Sequence, residues 1–161
     1  MALDKENLKK GIFLFIALVA MGIAMPLMMG NQDINYFMVE LPNGKQIPAQ
    51  VADSPEKQVV GLFFAKELPP NSAMLFIYDD EDFHPVWTKN SHFSLDIFWM
   101  DRDRKILHIE ENAPPCATDP CPTYRPKEPE ALYVMEASAG FVRSNNLQPG
   151  MSMIFRLVQR K

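Results

Sequence analysis

The chain has 161 residues, a net charge of −4 and 47% hydrophobic residues. That length suits a single hydrophobic core and is short for two. An acidic chain without a basic run is a poor match to nucleic acid.

Lys5, Lys9 and Lys10 precede an uncharged apolar stretch, Gly11 to Gly30 (GIFLFIALVAMGIAMPLMMG), which is the polarity of a secretory leader. At about 1.5 Å per residue such a helix just spans a bilayer core of about 30 Å. Two outcomes stay open: cleavage after Ala24, with Gly22 and Ala24 as the small-x-small pair, or retention as an anchor. A buried core helix fits less well, because the run has no polar face. Residues 1–30 are thus expected to be a signal peptide or signal-anchor, and 31–161 a single extracytoplasmic globular domain, periplasmic or extracellular, tethered through residues 11–30 if uncleaved. No cysteine stands directly after the run, so a lipid anchor is not expected. The two cysteines, Cys116 and Cys121, lie in the exported part, where an oxidising compartment favours a disulfide. So short a loop gains only about 2 kcal/mol from closure, and the bridge is expected to shape a loop.

Tyr36 to Leu41 and Gln46 to Val51 flank Pro42-Asn43-Gly44 and predict a β-hairpin. Ser54, Pro55 and Glu56 then supply a cap, a first helical residue and an acid at the positive end of the dipole. Val59, Leu62 and Phe63 follow on one helical face, and Pro69-Pro70 closes the segment. Ala73 to Tyr78 reads as a strand and Asp79 to Asp82 as a solvated loop. Leu95 to Met100 and Lys105 to Glu110 predict a second hairpin around Asp101 to Arg104. Pairing Met100 with Lys105 would put Asp96, Phe98, Leu107 and Ile109 on one face and Ile97, Trp99, Ile106 and His108 on the other. Both faces are apolar, which predicts a central position.

Ala113 to Pro129 holds six prolines and both cysteines and predicts a long irregular loop of the kind that often carries function. Leu132 to Glu136 reads as a strand, Ser138 to Asn146 as a short helix, Pro149-Gly150 as a turn and Met151 to Val158 as the last strand. The pattern predicts a compact α+β domain with a mainly antiparallel, barrel-like β-sheet and two short helices.

Three stretches, in order, resemble the family catalogued as domain of unknown function 192: VADSPEKQVVGLFFAKELPPNSAMLF (Val51 to Phe76), WTKNSHFSLDIFWMD (Trp87 to Asp101) and ENAPPCATDPCPTY (Glu111 to Tyr124). The resemblance runs from about Gln50 to Val158. It implies a small β-rich fold and no established reaction. Thr88 and Ser91 stand where the family's Trp-Met-Lys-Asn-Thr pattern has Met and Thr, Ser94 replaces its usual Pro, and Met151 replaces a frequent Asp.

Several arrangements invite a chemical reading. His92, Ser94 and Asp96 do not make a triad, because in an extended strand His92 and Asp96 stand about 13 Å apart. His84, His92 and His108 lack the spacing of a metal site, and four residues between Cys116 and Cys121 do not match a redox motif. No metal and no cofactor are expected. The polar group Trp87, Lys89, Asn90 and Asp96 is more informative, since an aspartate among Leu95, Ile97 and Phe98 is costly unless paired. Asp96 either accepts hydrogen bonds that fix a turn, or joins Trp87, Lys89, Asn90, Glu111, Asn112 and Tyr124 in a ligand-binding cleft under the proline-rich loop. The expected role is a non-enzymatic binding or accessory module of the cell envelope, with a glycan, peptide or protein partner. The alternatives are an envelope-acting hydrolase pairing Asp96 with Glu110 or Glu111, and a structural module of an envelope assembly.

Overall fold

The structure is a computed structural model that describes residues 36–158, so the leader expected over residues 1–30 lies outside the described residues. Among the described residues no helix is long and apolar enough to cross a membrane. The elements run β1 (Tyr36–Glu40), β2 (Gln46–Ala52), α1 (Pro55–Val60), β3 (Ala73–Asp82), β4 (Val86–Trp87), β5 (Leu95–Met100), β6 (Ile106–Ala113), β7 (Thr123–Tyr124), β8 (Ala131–Ser138), α2 (Phe141–Asn145) and β9 (Ile154–Leu157). Seven strands form one sheet in the order β6-β5-β8-β3-β2-β1-β9, while β4 and β7 pair separately.

Neighbouring strands are antiparallel except β2 and β3, whose parallel pairing requires a crossover that α1 and its flanking loops supply. The domain is therefore mostly a mixed β-sheet with two short helices. It is not a closed barrel. The two ends of the sheet approach at a single bridge, Lys105 to Ser152, where Ile106 N–H donates to Met151 O at 2.7 Å and Met153 N–H to Arg104 O at 3.0 Å. No ladder joins β6 to β9 there, so the expected barrel-like closure is met only loosely.

The expected central position of Leu95 to Met100 holds: every residue of β5 is buried, between β6 and β8. Its side chains alternate between two cores. Phe98 and Met100 join Ile47, Leu75, Met135 and the α2 residues Phe141 and Val142 on the first face. Leu95, Ile97 and Trp99 join Met74, Phe76, Val86 and Val134 on the second. The buried indole of Trp99 donates to His84 O at 2.9 Å, so the largest core side chain leaves no polar atom unpaired.

Four local expectations are corrected. Met100 pairs with Ile106 rather than Lys105, because Asp101 Oδ1 accepts the amides of Asp103 and Lys105, both at 2.9 Å, and closes a turn one residue longer. Ile106 consequently packs in the first core and Leu107 against the second, the reverse of the expected assignment. The acidic stretch Asp79 to Asp82 continues β3 past an irregularity after Ile77 instead of forming a loop. Within the proline-rich stretch, Thr123 and Tyr124 form β7 against β4. Finally, α1 is only six residues long and buries none of them.

Candidate functional site

The unburied face of α1 opens onto a cavity of about 460 Å³. Strands β3, β5 and β8 contribute Phe76, Tyr78, Leu95 and Glu136 from the second face of the sheet. One wall is α1 with the turns that follow it, Gln58 to Phe64. The opposite wall is Pro85, β4 and the turn Thr88 to Ser91.

Local sequence builds each wall. Ser54 Oγ accepts the Lys57 amide and Pro55 starts the helix, as the capping pattern predicts. Gly61 stops it with φ +45°, a conformation that side chains disfavour. Gln58 Nε2 donates to Ile77 O at 2.7 Å and ties the helix to β3. The chain then turns, leaving Val59 85% and Phe64 76% exposed beside the cavity. Across the mouth Trp87 is 60% exposed. Lys89 Nζ lies 5.4 Å from the Trp87 ring centroid and 2.6 Å from Asp119 Oδ2.

The second wall is held by the proline-rich loop. Buried Thr88 donates its hydroxyl to Pro114 O at 2.7 Å, the Cys116 amide donates to Thr88 O at 3.1 Å, and the Asn90 amide donates to Cys116 O at 2.9 Å. Asn90 itself takes a left-handed conformation, φ +59°, which asparagine tolerates well. Cys116 and Cys121 stand at disulfide distance. Because the bridge closes only a short loop, Cys121→Ser is expected to lower stability by about 2 kcal/mol or less, read by urea denaturation. The backbone bonds from Cys116 to residues 88 and 90 keep the wall in place without it.

The buried charged group of the cavity is Glu136. It is 6% exposed, pairs across the sheet with Met74 and Ile97, and receives no hydrogen bond on its carboxylate from the described residues. Desolvation alone raises its pKa from 4.5 to about 7. Tyr78, on the same face, has its phenol pushed up to about 12, first by desolvation and then by the charge of Glu136. The Tyr78 ring is fixed by stacking on His84, centroids 3.6 Å apart and planes within 8°.

Comparison with known proteins agrees with the fold and leaves the chemistry open. Residues 38–155 match the model of the family domain of unknown function 192, described as an uncharacterized ACR. The chain belongs to this family. No protein of curated function matches the chain significantly. Among solved structures, a protein of unknown function from Novosphingobium aromaticivorans is similar with a TM-score of 0.64 and 25% identity, covering 74% of this chain and 83% of its own. A Sinorhizobium meliloti protein provisionally described as a transcription regulator has a TM-score of 0.68 and 25% identity, covering 78% and 98%.

In this member of the domain-of-unknown-function-192 family, three residues expected in a ligand cleft, Trp87, Lys89 and Asn90, line the cavity together. The others lie elsewhere. Asp96 points to the first face, 1% exposed, where Oδ1 accepts the Asn112 amide at 2.8 Å and Oδ2 the Val142 amide at 2.9 Å. Glu111 is exposed and accepts from Arg143 Nε at 3.0 Å. Tyr124 is half-buried against the second core, opposite Val86. Sequence reasoning did not single out Glu136, Tyr78 or Phe64. The signal for Glu136 was the one that drew attention to Asp96: a lone carboxylate inside an apolar strand, here ALYVMEAS.

Proposed function

We propose that this domain is a non-enzymatic binding module, carried out of the cytoplasm by residues 11–30, whose cavity receives a side chain of an envelope peptide. The observation that carries the reading is the apolar cavity with Val59, Phe64 and Trp87 exposed around its mouth. Apolar side chains clustered at the entrance of a concave site favour binding over bare surface. A peptide side chain with an apolar stem and a polar end suits a lining in which Phe76, Val86 and Leu95 stand with polar groups such as Gln58, Asn90 and Glu136.

A hydrolase with paired carboxylates has less support. Glu110 is opposite Ile97 on the second face of the sheet, whereas Asp96 belongs to the first and has both oxygens occupied by backbone amides. The regulator description of the Sinorhizobium protein finds no counterpart in the charge of this acidic chain.

Probing the full-length protein with an array of short peptides tests the proposal. Wild type is expected to retain peptides with long aliphatic or aromatic side chains. Phe64→Ser should lose them while its stability changes by less than about 0.5 kcal/mol, since Phe64 is largely exposed. Absence of any retained peptide would overturn the reading.

A further inference from the structure

Glu136 is a buried carboxylate that opens onto the cavity and receives no hydrogen bond from the described residues, and the chemistry of a ligand group that meets it is constrained. Among the residues lining the cavity only Tyr78, Lys89 and Glu136 titrate. The phenol of Tyr78 can donate a hydrogen bond but brings no positive charge. The ammonium of Lys89 is held at the mouth, on Asp119 and over the Trp87 ring. Strand β5 faces Glu136 with Ile97, and α1 lines the cavity with Gln58, Val59 and Val60, none of them charged. Among the described residues, the one cation that lines the cavity, Lys89, is thus engaged at the mouth, and no ion pair to Glu136 is formed.

We propose that the side chain taken into the cavity is a cationic one of the lysine type, its ammonium meeting Glu136 and its aliphatic stem lying along the apolar walls. This rests on the reading of the cavity as a peptide-side-chain site and specifies what that site recognises. Three features support it. An ammonium brings three donors to a carboxylate that has none. Phe76 and Tyr78 stand two residues apart on one strand, so their rings share the face that carries Glu136, and aromatic faces attract a cation. The stem of a lysine is four methylenes long, and such stems bury readily along apolar surface. No covalent step is involved; below about pH 7, where burial keeps Glu136 protonated in the empty cavity, that proton leaves to solvent as the ammonium docks.

The test titrates full-length protein by calorimetry with one short host peptide carrying, at its central position, lysine, norleucine or glutamate. Norleucine keeps the aliphatic stem and lacks the ammonium. At about pH 8 the lysine peptide is expected to bind roughly ten- to a hundred-fold tighter than the norleucine peptide, and the glutamate peptide weakest. In Glu136→Gln the lysine and norleucine peptides should become equal. At about pH 6, titrations in buffers of different ionisation heat should show net proton release with the lysine peptide and none with norleucine.

Equal binding of lysine and norleucine by wild type would overturn the cationic inference and leave the peptide-binding reading standing. A lysine preference that survives Glu136→Gln would remove Glu136 as the counter-charge and overturn the inference as well. If neither peptide binds, both the inference and the peptide-binding reading fail.

Discussion

Replacing Glu136 by Gln is expected to make the domain more stable at neutral and alkaline pH, with the gain disappearing in acid. The folded protein holds the Glu136 proton up to about pH 7, while the unfolded chain releases it near 4.5. Between those values the native state binds more protons than the unfolded state, so stability falls as pH rises. Wild type is least penalised below pH 4.5 and carries the full cost above about 7. At roughly 1.4 kcal/mol per pKa unit that cost approaches about 3 kcal/mol. Urea denaturation of wild type and Glu136→Gln at a series of pH values checks this. The stability difference should be nearly constant below pH 4.5 and should grow by about 3 kcal/mol in favour of the variant across the window. A difference that does not change with pH would mean that the carboxyl is solvated or paired. Tolerance of a residue that destabilises its own fold is what a binding role for the cavity explains, since a ligand cation would offset the penalty.

Replacing Asp96 is expected to destabilise the domain. Helix α2 begins at Phe141, and its cap residue, Gly140, has no side chain to satisfy the first amides. Asp96 reaches across from β5 to accept the Val142 amide, and its other oxygen accepts the Asn112 amide where β6 departs from regular pairing at φ +57°. It thus holds a helix and a bulge to the central strand with one carboxylate. Asp96→Ala would leave two amides without their acceptor beside the buried first core, at a cost of about 3–5 kcal/mol. Asp96→Asn keeps one acceptor and should lose about 2 kcal/mol. Because the cavity is on the other face of the sheet, Asp96→Asn, studied at a temperature where it remains folded, should bind peptide as wild type does. Selective loss of binding by this variant, with stability intact, would return Asp96 to the list of ligand contacts.

The two carboxylates show where sequence reasoning stops. Both interrupt apolar strands, Asp96 in LDIFWM and Glu136 in ALYVMEAS, and they lie one strand apart. A strand's period of two places each on a face but does not say what waits there. For Asp96 it is a helix start and a bulge, and for Glu136 it is the cavity. Those partners come from segments far along the chain: Val142 follows Asp96 by 46 residues, and Gln58 and Val86 come from elements well before Glu136.

A shift of one residue had a similar effect in the central hairpin. The apolar runs that flank Asp101 to Arg104 mark two strands, yet the turn closes on Lys105 through Asp101, and that extra residue exchanges the faces of Ile106 and Leu107. In α1 the apolar spacing of Val59, Leu62 and Phe63 is present in the chain. The helix ends at Gly61, so that face is not continued: Leu62 packs against the second core while Val59 and Phe63 line the cavity.

What the amino-acid sequence determined by itself was local and additive. Alternating apolar residues made β5 a strand that must be covered on both sides, Ser54-Pro55 began a helix, and the pattern of β-strands with few helices set the fold class. Tertiary structure decided which polar groups were satisfied and which were not. Pairing Thr88 and Asn90 with the Pro114 to Cys116 segment, and placing α1 across β3 from Glu136, depends on contacts between distant segments whose geometry is set by packing of the whole sheet. Desolvation, which raises the Glu136 carboxyl, belongs to that packing and to no local stretch of sequence.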